Sequence, residues 1–80
     1  MEHETMTVVI LGRTVGTASG WDEVDTHAVC FYNFESTVPG LHTCSCFQVN
    51  FETGIFQCDF DGGSPEVEGD IVPLIAGLSP

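Results

Sequence analysis

The sequence predicts an α+β fold, a small antiparallel sheet of three to four strands with a short C-terminal helix over one face. Three observations carry this. Residues 41–60, LHTCSCFQVNFETGIFQCDF, are the most apolar part of the chain and hold three of its four cysteines. At their centre, Glu52-Thr53-Gly54 has the form of a three-residue hairpin loop closed by a glycine in the left-handed conformation. Two further segments, 6–11 and 27–34, are β-branched or aromatic, the composition that suits a half-buried pleated surface.

Taken in order, residues 6–11 form a strand ended by Gly12, and residues 13–17 either extend it past a bend or begin a second short strand. Ala18-Ser19-Gly20 reads as a loop. Trp21-Asp22-Glu23-Val24-Asp25 reads as one helical turn or as a polar turn with Trp21 tucked against the sheet. Residues 27–34 are a strand, and Pro39-Gly40 in its exit loop is placed for a type II turn. In the central hairpin a three-residue loop sets Phe51 opposite Ile55. One face then carries Phe47, Val49, Phe51 and Ile55, and the other Cys44, Cys46, Phe56, Cys58 and Phe60. Asp61-Gly62-Gly63 breaks the second hairpin strand. A helix follows, opening either at Ser64-Pro65-Glu66, with a capping hydroxyl and Pro in the first position, or at Asp70 and running to about Ala76 with Pro73 in its first turn. Two apolar sheet faces need two covers. Leu74, Ile75 and Leu78 supply one, Trp21 and Val24 part of the other, and dimerisation is the alternative, so monomer and homodimer both stay open.

Eighty residues, read as a single domain over 1–80, give a core of marginal size. The composition is globular, 42% hydrophobic with six Phe. Charge is the outlying property: twelve Asp and Glu face a single basic residue, Arg13, for a net charge of -11. Apolar residues interrupt every acidic group, so the charge belongs to a folded surface and not to an acidic tail. The start, Met1-Glu2-His3-Glu4, carries no secretory signature, and Val8 to Leu11 is too short to span a bilayer. An anionic membrane surface would repel the chain. The expected location is the cytoplasm.

That location sets the expectation for the cysteines, which is four free thiols buried as small hydrophobes. Two alternatives compete. Cys30 or Cys58 can meet Cys44 or Cys46 across neighbouring strands as a disulfide. Strand alternation also places His42, Cys44 and Cys46 on one face with Cys58 beside them, ligands suited to zinc. Their spacing of roughly 6.6 Å along the strand is too wide for one ion, and no cofactor is expected. A Cys–His nucleophile needs positive charge to lower the thiol pKa, and the chain has almost none. His3 and His27 read as surface imidazoles. Asp59-Phe60-Asp61-Gly62-Gly63 has acids two apart followed by Gly, as calcium loops do, but lacks the closing Glu.

The acids fall into groups: Asp22, Glu23 and Asp25; Glu35 and Glu52 at loops; Asp59 and Asp61; and Glu66, Glu68 and Asp70. Solubility needs only a modest net charge. Duplex DNA presents one negative charge per about 1.7 Å of axis to matching Lys and Arg channels. In size, charge and lack of a catalytic motif the chain resembles the phage-encoded DNA mimics, among them small acidic anti-CRISPR proteins. No diagnostic motif underlies the likeness, and no family residue is carried over. The resemblance implies a non-enzymatic inhibitor in the host-cell cytoplasm. It would dock Asp22, Glu23, Asp25, Asp59, Asp61, Glu66, Glu68 and Asp70 on a basic nucleic-acid-binding partner such as a CRISPR effector complex. Direct nucleic-acid binding is disfavoured by the same charge. The alternative is a small phage structural or assembly protein that docks or dimerises through an exposed aromatic face.

Overall fold

The computed structural model describes residues 4–41, 43–59 and 65–76. They form seven strands and one short helix: β1 (Met6–Ile10), β2 (Arg13–Ala18), β3 (Gly20–Asp25), β4 (Ala28–Ser36), β5 (Cys44–Asn50), β6 (Ile55–Asp59), β7 (Pro65–Asp70) and α1 (Ile71–Ala76). All pairings are antiparallel, in the order β1-β2-β4-β5-β6-β7, and β3 pairs with β4. The expected architecture of an antiparallel sheet and a C-terminal helix is present. The strand count exceeds the three to four expected.

Two of the added strands come from segments read otherwise. Residues 20–25 are a strand, neither a helical turn nor a polar turn, and Trp21 is 51% exposed and not tucked in. Its six residues are polar enough to hide a strand pattern, and pairing to β4 overrides that local preference. Pro65 opens strand β7, where a missing N–H is tolerated at a first position, so the helix begins at the second expected start. There Asp70 caps it, its carboxylate accepting from the Val72 N–H at 3.0 Å. Ser64, Phe60, Gly62, Gly63 and Leu78 lie outside the described residues.

β2 and β3 run end to end along one edge of β4, with only Ser19 between them: Thr17 lies opposite Glu35 and Gly20 opposite Tyr32. The sheet folds at this level. Ser19 donates from its backbone to the Tyr32 carbonyl (2.8 Å), the Asn33 amide donates to the Ser19 hydroxyl (2.8 Å), and Asn33 holds a φ of 51°. Asparagine is among the few residues that take this region readily. On β5 the inside–outside alternation breaks at the same level, between Cys44 and Phe47. Gly16, just past the fold line, lies so close to the Glu35 carbonyl and the Phe34 ring that a Cβ there would collide with both. The fold brings Val8, Ile10, Val15 and Ala18 of the β1–β2 hairpin into one core with Phe31, Phe34, Phe47, Val49, Phe56, Ile71 and Ile75. Phe47 sits at its centre, fully buried, with ring centroids 4.2 Å from Phe34, 5.9 Å from Phe56 and 6.2 Å from Phe31.

The central hairpin exists, but its register is one residue from the expected one. Val49 faces Phe56, and the loop spans four residues, 51–54, not three. A one-residue slip moves a strand's side chains to its other face. Phe47 and Val49 therefore share the inner face with Phe56 and Cys58, whereas Phe51 (52%) and Ile55 (41%) are exposed. The outer face is far less apolar than expected, with Gln48 and Gln57 directly opposite each other.

All four cysteines are paired, Cys30 with Cys46 and Cys44 with Cys58, at Cα separations of 5.9 and 5.8 Å. This overturns the expectation of free thiols, which rested on an assumed reducing location. It also removes the thiolates that a zinc site would need. Because β5 kinks, Cys44 joins the core while Cys46 stays at its margin. The pairs span 16 and 14 residues of sequence, and closing loops of that length restricts the unfolded chain by about 3 kcal/mol each.

Two measurements check this packing. Phe56→Ala should cost about 3–5 kcal/mol through lost burial and a cavity, while half-exposed Phe51→Ala should cost about 1 kcal/mol or less. Equal losses in denaturant melts would contradict the register. Intact-mass analysis of unreduced protein should show four hydrogens fewer than the fully reduced chain, and reduction should lower the melting temperature; four titratable thiols in the native protein would contradict the pairing.

Candidate functional site: an acidic strand edge

Among the described residues β3 pairs with β4 alone, so it is an edge strand. Asp22, Glu23 and Asp25 all lie on it and all are exposed. Asp22 stands opposite Cys30 and Glu23 opposite Val29, so the two carboxylates leave the strand on opposite faces of the sheet. A register shift between Glu23 and Asp25 turns Asp25 toward the tip, where it accepts from the Thr26 N–H at 2.7 Å. The group thus forms a charged rim and not a pocket.

Asp22 is fixed by Tyr32, whose hydroxyl donates to the Asp22 carboxylate at 2.8 Å. That hydrogen bond, with burial and the nearby negative charge adding to it, raises the Tyr32 pKa above its ordinary value of 10.0. The pair is not legible in the sequence, because the partners are ten residues apart and meet only through the β3–β4 register.

The second acidic group lies elsewhere. Glu66, Glu68 and Asp70 belong to β7 and Asp59 to β6, on the far side of the sheet. Four strand spacings separate β3 from β7, about 19 Å. Asp61 lies outside the described residues. The structure therefore divides the predicted binding residues between two opposite edges. Glu35 is exposed on β4, and Glu52 on the β5–β6 loop approaches His27 at 3.2 Å, giving that imidazole a partner it lacked in the sequence reading.

Among the described residues, no group of three or more His, Cys, Asp or Glu side chains is arranged to hold a metal ion; His42 lies outside them. A shallow groove of about 310 Å³ on the outer face is lined by Gln48, Asn50, Thr53, Ile55 and Gln57, amides and a hydroxyl suited to hydrogen bonding. Among the described residues no helix is long and apolar enough to cross a membrane. Comparison with protein-family models, curated proteins and solved structures finds no match to the chain.

The Tyr32–Asp22 contact is testable by ultraviolet titration. Asp22→Asn removes the negative charge that opposes the phenolate, so the Tyr32 transition should move to lower pH. An unchanged transition would mean that the hydrogen bond is not populated in solution.

Proposed function

We propose that this protein is a non-enzymatic inhibitor whose acidic surface stands in for DNA and occupies the basic nucleic-acid-binding groove of a partner. The target-DNA groove of a CRISPR effector complex is one such surface. The observation that carries the proposal is the exposed acidic edge strand β3. Asp22 and Glu23 project from its opposite faces, so the strand presents negative charge on both sides of the sheet edge. Glu66 and Glu68 belong to β7, on the other side of the same sheet. Every acid whose side chain is described is exposed. A net charge of -11 directs such a surface to basic partners and away from nucleic acid itself. In this reading the protein binds no cofactor.

A second reading, an assembly or dimerising protein that docks through an apolar surface, draws on the exposed Leu11, Phe51 and Val72.

The test is competition on a captured basic nucleic-acid-binding partner. Its DNA should displace this protein, and association should slow as salt shortens the Debye length to about 8 Å near physiological ionic strength. Reversing Asp22, Glu23 and Asp25 to Lys together should abolish binding, whereas reversing Asp59, Asp61, Glu66 and Glu68 should leave most of it. Single changes should have little effect, since exposed ion pairs contribute roughly 0–1 kcal/mol. Simultaneous binding of DNA and protein, or affinity indifferent to both reversals, would remove the mimic reading.

A further inference from the structure

Leu11 is the residue that the fold explains least. It occupies the two-residue turn between β1 and β2 with a φ of 52°, followed by Gly12 at 77°. Both central positions of this turn type require positive φ, which favours Asn, Asp or Gly. Leucine there is strained and is also 65% exposed, so it gains little from burial. Fold stability alone favours Asn at this position.

What surrounds Leu11 supplies a use for it. Leu11, Phe51 and Val72 come from three separate turns or helix starts, all are exposed, and all line one small cavity of about 110 Å³. Its floor is core: Ile10, Val49 and Ile71 are buried. The cavity is smaller than the cavity of about 150 Å³ that admits benzene, so it suits one aliphatic side chain. Gly54 holds the helix against the hairpin loop. Its carbonyl accepts from the Ile71 N–H at 2.6 Å, and a Cβ on it would press on Val72 and Asp70. Two exposed carboxylates, Glu52 and Asp70, belong to the segments that form the walls.

We infer that this end of the molecule is an anchor socket: it takes one aliphatic side chain flanked by Lys or Arg on the surface of a basic protein partner. The inference rests on the basic partner proposed above and adds the contact that holds it. Exposed carboxylates speed encounter but contribute little to residence, and a buried apolar anchor inside a polar rim is where interface energy concentrates. A second copy of the chain is the wrong occupant, because two molecules of charge -11 repel.

The probe is a synthetic peptide, acetyl-Gly-Lys-Arg-Leu-Arg-Lys-Gly-amide, titrated into the isotope-labelled full chain beside a control with Ser in place of Leu. The Leu peptide should bind at least about tenfold tighter, as burial of one aliphatic side chain provides. The largest shifts should fall on the methyl groups of Leu11 and Val72. Leu11→Asn and Val72→Ser should each remove that advantage. Leu11→Asn should melt no lower than the parent, so its loss of binding is not unfolding. Equal affinity for the two peptides, no binding of the Leu peptide, or shifts confined to β3 would overturn the socket, and so would self-association through Leu11 and Val72 in sedimentation equilibrium. None of these touches the competition with DNA, whose failure would remove the mimic reading and leave the socket standing.

Discussion

The register of the β5–β6 hairpin is the constraint on which the rest of the structure depends, and Asn50 sets it. Its side-chain carbonyl accepts from the backbone N–H groups of Glu52 (2.9 Å) and Thr53 (3.0 Å), and its main-chain carbonyl accepts from Gly54 (2.8 Å). Such a local bond offers the backbone a turn in place of continued strand. The Thr53 hydroxyl then accepts from the Ile55 N–H, and Gly54 closes the loop at a φ of 78°. With the loop fixed at four residues, Phe47, Val49, Phe56 and Cys58 all point inward. The β1–β2 hairpin packs on that inner face from one side of the fold line, and the helix packs on it through Ile71 and Ile75.

The second constraint is the fold line through Ser19, Asn33 and Ser45. A flat sheet of these strands would leave one face of β5 and β6 open to water. Three irregularities at one level let the sheet turn back on itself. Each uses a residue suited to it: a serine that bonds across the strands, an asparagine at positive φ, and a break in alternation that sends Cys44 inward and Cys46 outward. The two disulfides both leave β5 at this level, one toward β4 and one toward β6. They tie the kinked strand to both neighbours where the regular ladder is weakest.

These two constraints also mark where the sequence was legible. Strands β1 and β4, the type II turn at Pro39-Gly40 and the helix start at Asp70 follow from local chemistry. In the turn, Gly40 has a φ of 95° and Leu41 donates to the Val38 carbonyl. The hairpin was visible, but its register was not: Gly54 signals a turn, and the turn-forming side chain of Asn50, which fixes the loop length at four residues, was counted as part of the strand. The expectation of free cysteines failed through the assumed reducing location, whereas pairing of Cys30 and Cys58 with Cys46 and Cys44 across neighbouring strands was open to the strand pattern. β3 was hidden because an edge strand needs only one set of partners and can carry polar residues throughout. Of the predicted binding residues, Asp22, Glu23 and Asp25 do form one exposed rim. Their division from Glu66, Glu68 and Asp70 depends on strand order, which no local pattern encodes.

The distribution of charge ties fold to function. A sheet that does not close has edges, and an exposed edge invites pairing with another copy. On β3 that pairing would set Asp22, Glu23 and Asp25 against their own counterparts, and like charges directly opposite are destabilising. On this edge the acids therefore oppose strand-to-strand pairing of two copies. This protection costs self-repulsion, which the Phe47 cluster and two disulfides withstand. Leu11 breaks the pattern. It contributes neither to the core nor to the charge, and it holds an unfavourable backbone conformation at the end where Phe51 and Val72 are also exposed. Strain persists where surrounding structure imposes it and often serves function there. An electrostatic surface alone would not need it; a surface that must hold its partner after charge has guided it into place would.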